Sequence, residues 1–252
     1  SLADAASSLW HNLPGLLQFL GKALIPLRLS VVQVLQPRFW IFGALSGGIL
    51  LIGLMISRRK NYALAGFGLS WFCLFLLPSF VFRSTTVAEL MMEHRLYVPL
   101  AGLIIVLQEI DLIKGLQAAG IQAAALCAAV VFLYGGLAFG HAGHFKNKMT
   151  FWLNAAETSP QLPLAHRNLG VMYYLEGAND KAAAEYEKTI ALNGAEPMVH
   201  NNLGLIYMKK GLFKEAEAAY LKELKINPNY DNALFNLGLL YSQKGLYRQA
   251  QV

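Results

Sequence analysis

The sequence predicts an all-α protein: a polytopic transmembrane helix bundle over about the first 145 residues, followed by an α-solenoid of two-helix units. Three observations predict it. Of the 252 residues, 56% are hydrophobic and only 14% charged, with a mean hydropathy of +0.41, which is outside the range of ordinary water-soluble chains. Three apolar stretches, 39–57, 62–82 and 120–140, meet the roughly 20 residues that a helix needs to cross a bilayer core, with 96–113 a weaker fourth. Finally, Asn168-Leu169-Gly170 recurs as Asn202-Leu203-Gly204 and Asn236-Leu237-Gly238, each time after 34 residues.

Charge divides the chain the same way. Residues 1–150 hold 11 Lys/Arg against 5 Asp/Glu, whereas residues 151–252 hold 10 of each, so the net +6 sits in the apolar half. A nucleic-acid binder would concentrate its cations on the water-soluble part, so that class is excluded and lipid head groups or a phosphate-bearing substrate are favoured. Cys73 and Cys127 lie within apolar runs and read as small hydrophobes, not as a disulfide or metal ligands. Ser1 opens the chain without a methionine or signal pattern, and Val252 falls inside a repeat, so the sequence is expected to be a piece of a longer protein.

Within the apolar half, residues 1–36 read as an interfacial or partial membrane segment: the apolar run 13–35 carries Lys22 and Arg28 and is interrupted by Pro14 and Pro26. Residues 37–144 are expected to supply transmembrane helices at 39–57, 62–82, 96–113 and 120–140. The third is the weakest, because Glu109 and Asp111 fall within it. Arg58, Arg59 and Lys60 crowd the connection between the first two spans, which places that connection in the cytoplasm and everything beyond Gly140 outside. Gly43 and Gly47, and likewise Gly136 and Gly140, have the spacing that lets helices approach closely, here expected within the bundle.

From residue 163 the repeats keep register at several positions. Tyr173, Tyr207 and Tyr241 follow each glycine by three residues; Gly177, Gly211 and Gly245 mark the inter-helix turns; Ala182, Ala216 and Ala250 open each second helix. Tyr186 and Tyr220 then follow, and Pro228 closes a repeat. A 34-residue helix-turn-helix unit with these positions resembles the tetratricopeptide repeat (TPR). The array is expected to span 145–252, as a half-repeat 145–162 containing Trp152, Ala155, Ala156 and Pro160, full repeats 163–196 and 197–230, and a partial repeat 231–252. One helix pair cannot bury its apolar face alone, so neighbouring pairs must stack.

Asn168, Asn202 and Asn236 occupy one repeat position, an arrangement that resembles the asparagine ladder in the TPR superhelix of O-GlcNAc transferase, where such side chains hold an extended peptide backbone. An amide offers both a donor and an acceptor, which recognition of a peptide backbone requires. The alternative is that the three amides pair with neighbouring helix backbone.

In the apolar half the distinctive stretches are Leu24-Ile25-Pro26-Leu27-Arg28-Leu29-Ser30, Phe67 to Ser79 with its Trp71-Phe72, and the block Glu93-His94-Arg95-Leu96-Tyr97-Val98-Pro99. Over residues 9–160 these resemble the C-terminal membrane region of bacterial transmembrane-and-TPR protein O-mannosyltransferases, polytopic enzymes of the GT-C class. The resemblance implies a multi-pass protein of the bacterial inner membrane with an extracytoplasmic TPR domain, acting on a polyprenyl-phosphate-linked sugar as donor and an acceptor polypeptide on the concave TPR face. It also implies that the catalytic acidic loop lies upstream of Ser1, so that no catalytic residue falls in this chain, and it leaves a metal requirement open. Arg95 would hold the lipid-linked phosphate, Glu93 would orient it and His94 would donate to phosphate or sugar. Read without the resemblance, the three are an interfacial set beside Tyr97.

His141 and His144 share a helix face without a third ligand, so no metal site is expected. His166 and His200 hold a packing position in their repeats, and Glu109 and Asp111 read as a solvated interfacial pair. Phosphate-cradling glycine loops, metalloprotease helices and nucleophile elbows are all missing from the sequence. Two functions remain: a glycosyltransferase-like protein, or a membrane-anchored TPR scaffold without chemistry.

Overall fold

A computed structural model describes residues 14–24, 31, 37–58, 60–81, 97–118 and 120–246, and every described element is helical. The chain divides into two compact units, Ser1–Lys146 and Asn147–Val252.

In the first unit the helices are α1 (Pro14–Leu24), α2 (Pro37–Ile56), α3 (Tyr62–Val81), α4 (Tyr97–Gln108), α5 (Asp111–Ala118) and α6 (Ile121–Ala142), with a 3₁₀ turn at Gly143–Phe145. Glycines set its closest approaches. A Cβ on Gly43 would collide with the Leu17 carbonyl of α1, and Gly47 lies against Leu20, so this pair packs within the unit as its spacing implied. Gly68 of α3 faces Gly102 of α4, where an added Cβ would come 2.6 Å from the Gly102 oxygen. Phe19, Leu50, Phe72, Leu76, Leu103 and Val106 form the core between these helices.

Apolar residues are not confined to that core. α6 would span about 33 Å at helical rise, and every side chain from Ala128 to Gly140 is exposed, including Phe132 and Phe139 at 81% and 84%. Among the described residues Gly136 and Gly140 meet no neighbour within 4 Å, so the packing expected of that second glycine pair is not seen there. Among the described residues one helix carries a stretch, Ala128–Phe145, long and apolar enough to cross a membrane; the other apolar runs, Trp40–Ile56, Tyr62–Leu76 and Val98–Gln108, are shorter. The expected span 96–113 is in fact two helices, because the chain leaves helical geometry after Gln108.

That break is an anchoring point. Glu109 accepts the Asn61 N–H at 2.7 Å and the Lys114 ammonium at 2.8 Å, while Asp111 accepts the Arg58 N–H at 2.6 Å. Ser57 Oγ accepts from the Asp111 N–H at 2.8 Å and donates to the Gly53 carbonyl at 2.7 Å. The acidic pair is therefore no solvated couple: it holds the α2–α3 turn, whose N–H groups precede a helix and lack intrahelical acceptors. Lys60 closes the other side, its ammonium bonding the Leu54 and Met55 carbonyls at the α2 C-terminus.

The second unit is a stack of antiparallel helices: α7 (Lys148–Thr158), α8 (Pro163–Leu175), α9 (Asn179–Leu192), α10 (Val199–Lys209), α11 (Phe213–Ile226) and α12 (Asp231–Gln243). Asn147 caps α7, exchanging hydrogen bonds with Thr150. Gly177, Gly211 and Gly245 sit at φ of 77°, 73° and 72° between paired helices, a left-handed conformation that costs a residue with a Cβ about 1–2 kcal/mol. Gly170 lies under the Tyr186 ring and Gly204 under that of Tyr220, and both rings are fully buried.

Candidate functional site

The candidate surface is built on α8, α10 and α12, the first helices of successive repeats. A 34-residue period returns each position to the same place on the next unit, so Asn168, Asn202 and Asn236 line up, all half-buried. The structure joins two of the three through a residue that sequence reasoning passed over. Asn236 Nδ2 donates to Asn201 Oδ1 at 2.9 Å, and Asn201 Nδ2 donates in turn to Asn202 Oδ1 at 3.4 Å. Asn202 also hydrogen-bonds the buried Tyr186 hydroxyl of the preceding repeat. Amides thus chain across repeats, side chain to side chain, rather than capping helix backbone. Asn168 stands outside that chain, and its amide makes no hydrogen bond among the described residues. The doublet Asn201-Asn202, with one member at the ladder position, was the available signal for Asn201.

Burial raises the Tyr186 hydroxyl well above the usual tyrosine range, partly opposed by the bond from Asn202. Tyr220, one repeat on, is pushed up to about 12 by burial, and its hydroxyl has no hydrogen-bond partner among the described residues. The difference follows from Asn236, whose Nδ2 has turned to Asn201. Beside the amides lie Tyr174, with the Lys209 ammonium 3.9 Å from its ring centroid, and the exposed apolar side chains Leu175, Phe235 and Leu239. Arg167 is held at 3.0 Å by Glu196.

Two buried carboxylates fix this surface from behind. Glu185 of α9 bonds His166 Nδ1 at 2.6 Å, and the other ring nitrogen of His166 meets the Pro160 carbonyl at 3.0 Å, which accounts for that histidine structurally. Glu223 of α11, 1% exposed, accepts the N–H groups of Met198, His200 and Asn201 at 2.8, 3.1 and 3.2 Å. It replaces the missing acceptors of the first turn of α10 and holds Met198 in a left-handed conformation, φ 70°.

Glu93, His94 and Arg95 lie outside the described residues. His141 and His144 meet edge to face with ring centroids 5.5 Å apart, and no group of three metal-ligating side chains occurs among the described residues.

These features define a helix-pair solenoid with an amide-lined face. The family description "Tetratricopeptide repeat" matches residues 197–230 and again 219–252, and "TPR repeat" matches 170–211, so the C-terminal region carries tetratricopeptide repeats. No curated protein sequence matches the chain. Among solved structures, "Crystal structure of MamA" is 26% identical at a TM-score of 0.39, covering 41% of this chain and 60% of that one. "Crystal structure of MamA protein" is 26% identical at 0.38, covering 41% and 56%. The chain therefore spans less than two thirds of the length of either.

Proposed function

We propose that this chain is a membrane-anchored scaffold, in which apolar helices hold a TPR array at a bilayer and the first-helix face of the array binds a partner polypeptide. The observation that carries the anchoring is α6, where every side chain from Ala128 to Gly140 is exposed, Val131, Phe132, Leu133 and Phe139 at 61% or more. α2 and α3 add Ile49, Met55, Ile56 and Leu74, each at least 60% exposed. Water-soluble monomers rarely leave so large an apolar surface open, whereas lipid covers it without cost. The array's part rests on its repeats, a fold that presents an extended surface to other chains. An amide row flanked by Phe235 and Leu239 suits an extended peptide, with amides meeting its backbone and apolar side chains meeting its own.

The test is binding of an extended-peptide library to the full chain in detergent. Asn168, Asn202 and Asn236 changed together to alanine should lose that binding; unchanged affinity would remove the amides from the site. The extracytoplasmic placement predicts that external protease cleaves the array in intact spheroplasts, and resistance would reverse it. Transfer of a sugar from a polyprenyl-phosphate donor is the more specific reading, and it rests on the sequence resemblance alone. Its decisive variant is Arg95→Ala in a longer chain with the upstream loop: the reading requires loss of transfer.

A further inference from the structure

We propose that the α2–α3 turn is a binding site for an anionic phospholipid headgroup, with the Arg58 guanidinium as its phosphate ligand; this rests on the membrane reading above. The turn joins two apolar helices of 20 residues each, and the end of such a helix is where a chain in a bilayer meets the headgroup layer. Its backbone is fixed from a distant part of the chain: the Arg58 N–H by Asp111, the Asn61 N–H by Glu109. Asn61 Oδ1 in turn accepts the Ala63 and Leu64 N–H groups at 3.0 and 3.2 Å, which starts α3.

With the backbone held, the side chains divide into two sets. Lys60 and Lys114 are occupied: Lys60 bonds two α2 carbonyls and lies 5.1 Å from the Tyr62 ring centroid, and Lys114 pairs with Glu109. Arg58 is exposed, and its guanidinium makes no hydrogen bond or ion pair among the described residues. Tyr62, 76% exposed, is of the type that settles at headgroup depth. The carboxylates facing the turn are Glu109 and Asp111, against the cations of Arg58, Lys60 and Lys114, so the described groups at this end sum to net positive charge. A planar guanidinium on a residue whose backbone N–H is held by Asp111 suits bidentate contact with a phosphate, where a flexible ammonium would act as a point charge. The occupant is a lipid phosphate because the ligand stands beside exposed apolar side chains, Met55 and Ile56 of α2 among them.

The experiment is native mass spectrometry of the delipidated full chain in detergent, offered phosphatidylglycerol and phosphatidylcholine together. Preference for phosphatidylglycerol is expected, falling about 5-fold in Arg58→Gln and restored in part by Arg58→Lys; unchanged helical circular dichroism shows the variant folded. Equal binding of the two lipids, or a preference unaltered in Arg58→Gln, overturns the proposal while leaving the anchor intact. Displacement by millimolar inorganic phosphate likewise overturns it in favour of a free-anion site. Should the chain bind neither lipid and stay dispersed without detergent, the membrane reading itself fails.

Discussion

Replacing Glu223 by glutamine removes one charge from the interior while keeping the side chain's size. In the wild type that carboxylate, 1% exposed, is the acceptor for three backbone N–H groups at 2.8 to 3.2 Å. Two of these, from His200 and Asn201, belong to the first turn of α10 and have no intrahelical acceptor. Glutamine offers one oxygen and turns an NH₂ group toward donors. Hydrogen bonds to a charged group contribute about 1.5–3 kcal/mol, and a negative charge at a helix N-terminus adds about 0.3–1 kcal/mol. A loss of about 2–4 kcal/mol in local stability is therefore expected, and the left-handed Met198 would relax once its N–H is released. Hydrogen exchange read by mass spectrometry over 198–204 in the full chain is the assay. At tenfold per 1.4 kcal/mol, exchange there should quicken roughly 30- to 1,000-fold. A change below about 3-fold at the Met198, His200 and Asn201 amides would refute the argument, since Glu223 is the acceptor that protects these three.

Tyr186→Phe and Tyr220→Phe should differ although they occupy one repeat position: the first loses the Asn202 bond, at about 1 kcal/mol, while the second removes a buried hydroxyl without a partner and should be neutral or stabilising by urea titration. Gly170→Ala places a Cβ 2.6 Å from the Tyr186 ring, which is fully buried and cannot withdraw, so a loss of about 1–3 kcal/mol is expected in the same titration. Acid should loosen α12 from α11. The Lys244 ammonium at 2.6 Å holds Glu217 below the usual carboxylate range, with the Tyr241 hydroxyl bonding it at 3.0 Å. A carboxylate with a lowered folded value contributes fully above its unfolded value of about 4.3 and loses that contribution as pH falls through the folded value. Exchange in α12 should therefore rise below about pH 4, and Glu217→Gln should abolish that rise.

The repeat half was legible because its period and its geometry are the same fact. Gly170 and Gly204 are small because Tyr186 and Tyr220 lie over them, and Gly177, Gly211 and Gly245 recur because each turn requires positive φ. Asn201 and Glu223 escaped notice for the opposite reason: each breaks the repeat. Phe235 stands where Asn201 would recur, and Thr189 stands at the position of Glu223 in the first full repeat. In the apolar half, hydropathy marks which helices are greasy but not where they end. Glu109 and Asp111 looked like an interfacial pair because the groups they serve, the N–H groups of Asn61 and Arg58, are 48 and 53 residues away in sequence. Gly43 and Gly136 carry the same spacing signal, yet only the first found a partner among the described residues.

Flotation of the full chain with phosphatidylcholine vesicles, followed by alkaline carbonate extraction, bears most directly on an apolar helical unit holding a repeat array at a bilayer. The chain should rise with the vesicles and stay with them through extraction. A chain that remains monomeric in the aqueous fraction without detergent would contradict the account.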